Sequence, residues 1–328
     1  MQELLRRQYS EYLTFRSFWS GFDRPVDRRN IVTDPESLQY SVKQYLSEEA
    51  RGCALLLSSG MDSAVLVPYM PPGSIAYTLF HPRLKTNELD AAKYYCKKFG
   101  MEHRAIPIDP SQYIEVIEPL LRRKRMPLSP AEPQFYIAAM IAARDGFRGV
   151  VTGGGADTKL GGFPALRKNI PVKRYVDKLQ RTYLHPGRIL KEGVSVDYLM
   201  EEYCHGGTKP TPLVDSRRFL AEVGVERFAF DNAIQAAGID HIAPFNVFGI
   251  DFDEEINKIQ SKYPIQEMYN AIYGCNPPDK KGFQKPAFLL KDYSPQSDIF
   301  ADFDIDDLKY HQKFLVYCLE RYHLKCIS

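Results

Sequence analysis

The chain has 328 residues, of which 44% are hydrophobic and 26% charged, enough for a large core or two domains, and no apolar run is long enough to cross a membrane. The formal net charge of +2 and the shortness of the basic run 122–125, interpreted as a solvated helix end, argue against a nucleic-acid partner. Six scattered cysteines without a Cys-x-x-Cys pair or zinc-ligand spacing predict reduced thiols, as in a cytoplasmic protein.

The first elements in chain order precede a change of pattern near residue 53. Residues 1–50 are polar and aromatic, lack the apolar core of a secretion signal and include a predicted helix at 35–47. From residue 53, short apolar runs alternate with helical patterns, which predicts a parallel sheet with helices on both faces. The predicted strands are 53–57, 75–80, 103–108 and 149–152, and the predicted helices are 62–70, 88–99 and about 132–144.

Strand patterns end beyond about residue 165. Residues 170–328 are predicted to be mostly helical, with loops at 206–212 and 276–282. The predicted fold class is therefore α/β, with a mostly helical C-terminal region. The predicted division is an N-terminal segment, an α/β core and a helical substrate-binding region, at 1–50, 51–165 and 166–328.

One candidate site lies in ALLLSSGMDSAVL (54–66), where a predicted strand leaves through Ser-Ser-Gly and a helix begins with an acid. Hydroxyl groups, exposed backbone N–H groups and a tight glycine turn at this place suit phosphate oxygens. Asp62 repels phosphate but suits a magnesium ion that bridges phosphates. The alternative is that Asp62 or Ser59 only caps the helix.

A second candidate site lies in VVTGGGADTKLGGF (150–163), where a predicted strand runs into glycines followed by a lone acid, Asp157. The alternative interpretation is a flexible loop rich in turn residues. Asp62 and Asp157, at the ends of neighbouring strands, are a suitable pair of ligands for one magnesium ion.

The first motif resembles the Ser-Gly-Gly-x-Asp-Ser pyrophosphate loop of the N-type ATP pyrophosphatases, and the second is similar to the signature of the asparagine synthetase and β-lactam synthetase synthase domain. Weaker matches follow at 87–103, 227–245 and 285–291. The resemblance implies an adenine-nucleotide α-hydrolase-like fold. It also implies ATP and Mg²⁺ as cofactors, and cleavage of ATP between its α and β phosphates.

The resemblance also implies roles for particular residues. Asp62 and Asp157 would be the metal ligands, and Lys285 the catalytic lysine, with Lys280 and Lys281 as alternatives. The implied nucleotide-binding residues lie in the first loop, at the end of the second strand and in the second loop: Ser58, Ser59, Gly60, Met61, Asp62, Ser63, Thr78, Leu79, Phe80, Gly153, Gly154 and Gly155.

Several departures from the family pattern concern the second substrate. Gly154 occupies the position where synthetases carry Glu and β-lactam synthetase carries Tyr, and glycine cannot act as a general base. Asp240 and His241, in the match at 227–245, are titratable and are candidate catalytic residues, although a lone histidine is more often structural. About fifty residues precede the first loop, too few for a glutaminase domain, so we do not expect ordinary glutamine-dependent asparagine synthesis.

These observations predict a stand-alone ATP-dependent ligase that adenylates a small-molecule substrate, most simply a carboxylate, and transfers it to an amine or ammonia. Free ammonia, a tethered amine and a separate nitrogen-donor protein all remain open as nitrogen sources. The alternatives are a nucleobase- or tRNA-modifying ATP pyrophosphatase, or a nucleotide-binding regulator that has lost catalysis.

Overall fold

The computed structural model describes residues 2–13, 31–82, 88–125, 128–160, 162, 184–195, 204–205, 213–214, 229–250, 262–278 and 287–327, and the elements given below are those of this part of the chain. The strands are β1 (Ile31–Val32), β2 (Cys53–Leu56), β3 (Ile75–Phe80), β4 (Glu102–Pro107), β5 (Gly149–Val151), β6 (Cys204–His205), β7 (Leu213–Val214), β8 (Asp240–Ile242) and β9 (Gly249–Ile250). The α-helices are α1 (Gln2–Leu13), α2 (Pro35–Glu49), α3 (Met61–Ala64), α4 (Glu88–Phe99), α5 (Pro110–Glu115), α6 (Ile117–Lys124), α7 (Glu132–Arg144), α8 (Ala156–Lys159), α9 (Pro186–Ile189), α10 (Ala229–Ala236), α11 (Pro244–Val247), α12 (Tyr263–Tyr273) and α13 (Tyr310–Tyr322). Short 3-10 helices lie at Val67–Tyr69, Ala287–Leu290 and Ile305–Asp307, and a π-helix lies at His323–Ile327.

Five of the strands form one parallel sheet, in the order β4-β3-β2-β5-β8. Successive strand residues enter opposite cores, with Ala54 and Val150 in one and Leu55 and Val151 in the other. The helices α6, α7, α10 and α13 complete the first core, and α2, α4 and α12 complete the second. Both faces of the sheet are therefore covered, which confirms the predicted fold class and explains the continuous apolar strands.

The helix predicted at 62–70 is the one element between residues 53 and 152 that the structure contradicts. The chain forms the short helix α3, which ends at Ala64, and then the 3-10 turn Val67–Tyr69. Pro68 cannot donate a backbone hydrogen bond to the Ala64 carbonyl, and its ring would clash with that group in an α-helix. The Tyr273 hydroxyl donates to the freed Ala64 carbonyl instead, at 2.8 Å.

The expectation that strands end beyond residue 165 is also wrong. The strand β8, at 240–242, joins the sheet as the edge strand beside β5, with His241 paired to Val150. The strand has three residues and begins with two polar side chains, so it lacks the apolar run by which a strand is recognised in a sequence. Its position brings Asp240 and His241, which belong to the match at 227–245, beside the strand that leads into the motif at 150–163.

A buried ion pair holds the helices on one face of the sheet together. Lys124 and Glu132 are both fully buried and in direct contact. The same carboxylate accepts hydrogen bonds from the Ser129 N–H (2.6 Å) and the Asn232 side chain (3.0 Å). Burial raises the pKa of Glu132 to about 7, although Lys124 and the other donors pull that pKa down. The pair therefore links α6, α7 and α10 through one carboxylate.

Replacing Lys124 with Met is expected to lower the free energy of unfolding by about 3–5 kcal/mol, because it leaves a buried carboxylate without its counter-ion. Urea unfolding measures this loss. The double variant Lys124→Met/Glu132→Gln is the control, and it is expected to be more stable than Lys124→Met alone because no unpaired charge remains. A single variant that is as stable as the wild type would contradict the prediction.

Candidate functional site

Two loops leave the carboxyl edge of the sheet side by side, where ligands collect in open parallel folds. One loop follows β2 and leads into α3, and the other follows β5 and leads into α8. The two strands are paired from Cys53 opposite Gly149 to Leu55 opposite Val151. The fold thus brings together the two glycine-and-acid motifs, whose acids Asp62 and Asp157 are 95 residues apart in the sequence.

The first loop is closed by hydrogen bonds among its own serines. The Ser63 hydroxyl accepts from the Ser58 N–H at 3.0 Å and lies 3.1 Å from the Ser58 hydroxyl, which in turn accepts from the Gly60 N–H at 3.2 Å. The loop is therefore a compact turn in which two hydroxyls and two N–H groups are gathered. Met61 packs against the second core and holds the start of α3 in place.

The helix α4 supports this loop from behind. The Ser59 N–H donates to the Glu88 carboxylate at 2.5 Å, and the Tyr95 hydroxyl donates to the Ser59 carbonyl at 3.1 Å. Ser59 and Glu88 are both buried. The backbone of Ser59 is thus committed to the fold, while its hydroxyl, like Ser58, Gly60 and Ser63, stays a predicted contact of the nucleotide.

The second loop touches the first at Gly153. A Cβ atom at Gly153 would lie 2.7 Å from the carbonyl carbon and 2.9 Å from the Cβ of Asp62, closer than real Cβ contacts. Only glycine allows this approach. Gly155 has a φ of +92°, which also favours glycine, and it turns the loop into α8.

Replacing Gly153 with Ala is expected to push the two loops apart, at a cost of about 1–3 kcal/mol, and to weaken ATP binding by about tenfold or more. Calorimetric titration with ATP measures the affinity, and thermal unfolding measures the stability. Gly187→Ala is the control, because a Cβ there would meet only side-chain atoms of His185 at 3.5 Å. Unchanged ATP affinity in Gly153→Ala would contradict the prediction.

The two acids meet at one cationic group, the ammonium of Lys262. Its Nζ lies 2.8 and 2.7 Å from the two carboxylate oxygens of Asp62 and 2.7 Å from Asp157 Oδ1. The Lys262 side chain is only 6% exposed and that of Asp62 15%, whereas the Asp157 side chain is 37% exposed. Burial alone would lower the pKa of Lys262, but the charges of Asp62 and Asp157 outweigh burial and raise that pKa.

The acid pair has the chemistry of a magnesium site. Mg²⁺ binds hard oxygen ligands and is commonly held by one or two carboxylates together with substrate phosphates. Three carboxylate oxygens from Asp62 and Asp157 already surround one positive centre. Across the described part of the chain, no third His, Cys, Asp or Glu joins them. The residues present therefore fit a Mg²⁺ ion that is shared with a nucleotide.

The lysine at this site is not one that the motifs indicated. Lys262 lies in none of the motifs and is 200 residues from Asp62 in the sequence, so no local pattern identifies it. The candidates from the sequence, Lys285, Lys280 and Lys281, lie outside the described residues, and their roles stay predictions.

A buried hydrogen-bonded chain runs from α10 to the second loop. His241 Nδ1 lies 3.0 Å from Asp231 Oδ1, and His241 Nε2 lies 2.8 Å from the Thr152 hydroxyl. A carboxylate only accepts, so in the neutral imidazole Nδ1 carries the proton and Nε2 accepts from the hydroxyl. The hydroxyl oxygen in turn accepts from the Gly154 N–H at 3.1 Å. This is the arrangement of an acid, a base and a hydroxyl that can move a proton.

An aromatic ring and a hydroxyl border the position that a side chain at Gly154 would occupy. A Cβ atom there would lie 3.0 Å from the Thr152 hydroxyl and 3.2 Å from the Phe230 ring. Phe230 stacks on Phe135 and on His241, with ring centroids 4.3 and 5.6 Å apart. Phe230 and the Thr152 hydroxyl therefore lie beside the position of Gly154. At this position the synthetases that the sequence resembles carry a Glu or Tyr side chain.

The structure does not bring Asp240 to this site. Asp240 begins β8 opposite Gly149, at the amino edge of the sheet, and its side chain is 63% exposed. It forms an ion pair with Arg148 at 2.8 Å. Neighbouring strand residues face opposite ways, so His241 reaches the buried chain and Asp240 does not. The catalytic role predicted for Asp240 is therefore not carried further.

The end of β3 lies beside the first loop. The Thr78 hydroxyl donates to the Leu57 carbonyl at 2.9 Å and lies 2.9 Å from His103 Nε2. Thr78 and Leu79 are buried, whereas Phe80 is partly exposed. The Thr78 hydroxyl is thus committed to the fold, so adenine recognition at this strand would use backbone groups and the Phe80 ring.

The sequence profile of the family described as asparagine synthase matches residues 35–229, more than half of the 328 residues. A comparison with curated protein sequences gives no match.

Three solved structures illustrate the structural likenesses. NH3-dependent NAD synthetase from Campylobacter jejuni is 17% identical over 40% of this chain and 61% of its own, with a TM-score of 0.26. The U34-tRNA thiolase from Methanococcus maripaludis is 12% identical over 88% and 78%, with a TM-score of 0.34. NMN synthetase from Francisella tularensis is 13% identical over 90% and 98%, with a TM-score of 0.30.

Proposed function

Because this chain belongs to the asparagine synthase family, we propose that it is an ATP-dependent ligase that adenylates a small-molecule carboxylate and releases pyrophosphate. Family membership by itself supports an ATP-utilising synthetase or pyrophosphatase. The proposal adds that an amine or ammonia then displaces AMP to form an amide or another C–N bond. It also places the reaction in the cytoplasm, with nitrogen taken as ammonia, as an amine, or from a separate donor protein.

The observation that carries the proposal is the meeting of Asp62 and Asp157 at one cationic point beside the serine loop. Two acids contribute nothing to direct phosphate binding, because like charges repel. They suit an ion that bridges phosphates, and such an ion neutralises charge that builds up on the leaving pyrophosphate. The resemblance of residues 58–63 to a pyrophosphate loop supports pyrophosphate as the leaving group and AMP as the nucleotide product.

The residues of the chain would act mainly by positioning and electrostatics. The hydroxyls of Ser58 and Ser63 and the N–H of Gly60 would hold pyrophosphate oxygens. The close contact at Gly153 keeps the acids of both loops together. Lys285 remains the proposed lysine for the α-phosphate.

The chain from Asp231 through His241 to Thr152 would serve the second half of the reaction. An attacking amine must lose a proton, and Gly154 has no side chain to accept it. The Thr152 hydroxyl borders Gly154 and is hydrogen-bonded to His241 Nε2. His241, oriented by Asp231, would take that proton through the hydroxyl.

The proposal is tested by exchange of labelled pyrophosphate into ATP. Purified protein with Mg²⁺ and a panel of carboxylic acids is expected to catalyse exchange only with its own acid and to produce AMP once an amine is added. Release of ADP and phosphate would overturn the proposal. ATP binding without AMP formation for any acid would favour a regulator that has lost catalysis.

A further inference from the structure

The two carboxylates of the site share a single ammonium group, that of Lys262. Asp62 and Asp157 carry two negative charges, and one ammonium group lies 2.7–2.8 Å from three of their oxygens. A Mg²⁺ ion takes carboxylate oxygens at about 2.1 Å. The ammonium and the ion would therefore need the same oxygens and nearly the same space, and two cations that close repel strongly.

We propose that Lys262 is the resident counter-ion of the Asp62–Asp157 pair, and that a divalent cation binds there only by displacing its ammonium group. In the metal-free protein the lysine prevents repulsion between the two carboxylates. On displacement, the ammonium is left beside the nucleotide site with a free positive charge. Nucleotide phosphates entering with the metal are the groups that this charge can then bind.

The backbone of Lys262 is anchored to the site, which argues against a chance surface contact. Lys262 has a φ of +54°, a strained value for a residue with a side chain, immediately before α12. The helix is tied to the first loop: Tyr273 donates to the Ala64 carbonyl, and Tyr269 lies 3.2 Å from the Tyr95 hydroxyl that holds Ser59. The packing of α12 thus fixes the backbone position from which the Lys262 side chain reaches the two acids.

The inference rests on the proposed function, because it assigns the acid pair to the metal of the ATP site. The test measures metal binding to the protein alone, so its result can be interpreted even if the ligase reaction is never observed. Mn²⁺ is the probe, since free and bound Mn²⁺ are separated by electron paramagnetic resonance. Lys262→Met is expected to bind Mn²⁺ about tenfold or more tightly than the wild type, because the competing charge is gone.

Two variants serve as controls for this measurement. Lys291→Met removes the same charge at an exposed position beside Asp292 and is expected to leave Mn²⁺ affinity unchanged. Lys262→Arg keeps the charge and is expected to stay near the wild type. Unchanged or weaker Mn²⁺ binding in folded Lys262→Met overturns the inference.

A second experiment uses the wild-type protein and does not depend on the stability of a variant. Lysine acylation followed by mass spectrometry reports how reactive each ammonium group is. Lys262 is expected to react slowly without metal and about tenfold faster when Mn²⁺ fills the site, because two carboxylates hold its buried ammonium group away from the reagent until the metal displaces it. Lys291 is expected to react equally in both conditions. Unchanged Lys262 reactivity in the Mn²⁺-filled protein overturns the inference.

Discussion

Replacing Asp62 with Asn is expected to lower the rate of AMP and pyrophosphate formation by about 10³-fold or more. Stabilisation of phosphate charge by a bound metal is worth several kcal/mol, and about 1.4 kcal/mol corresponds to a factor of ten in rate. Asn has nearly the shape of Asp, so the contact with Gly153 remains while the negative charge that attracts the metal is lost. Asp157→Asn is expected to have the same effect, because both carboxylates surround the same point. Pyrophosphate exchange at saturating ATP measures the loss.

Asp240→Asn is the matched control for that experiment. It makes the same chemical change, but at the amino edge of the sheet and in an exposed ion pair with Arg148. Its exchange rate is expected to stay within about twofold of the wild type, since exposed ion pairs contribute about 0–1 kcal/mol. A tenfold loss in Asp240→Asn would restore Asp240 as a catalytic candidate. A loss smaller than tenfold in Asp62→Asn would remove the acid pair from the reaction.

Replacing His241 with Gln is expected to separate the two halves of the reaction. Pyrophosphate exchange should continue near the wild-type rate, because the serine loop and the acid pair are intact. Amide formation should fall by about 10²–10⁴-fold, the usual contribution of a general base. Asp231→Asn should cause a smaller loss of the same kind, because it disturbs the tautomer and orientation of the imidazole rather than removing it.

Substitutions at Thr152 show whether this chain moves a proton or only holds the loop. Thr152→Ser keeps the hydroxyl that contacts His241 and is expected to retain amide formation, whereas Thr152→Val is expected to lose it. An equal loss of exchange and amide formation in His241→Gln would instead assign the chain a purely structural role.

Local patterns in the sequence were sufficient for much of the fold. The strands at 53–56, 75–80 and 149–151 and the helices at 88–99 and 132–144 match the predicted elements closely, because apolar runs and glycine stops act over a few residues. The prediction of a single helix at 62–70 was wrong because Pro68 interrupts it. The Ala64 carbonyl, which Pro68 leaves without a helical donor, accepts a hydrogen bond from another residue. That donor, Tyr273, is more than 200 residues further along the chain.

The sequence by itself determined the two loops of the site, since each is a strand followed by glycine and an acid, and each motif resembles a known family. Only the tertiary structure decided which other residues join them. Lys262 reaches Asp62 and Asp157 through the packing of α12 on the first loop, a contact across 200 residues that leaves no local signature. The pairing of β8 with β5 similarly sends His241 into the site and Asp240 to the opposite edge. In both cases the deciding interaction joins residues distant in the chain, and such interactions form only when the sheet is assembled.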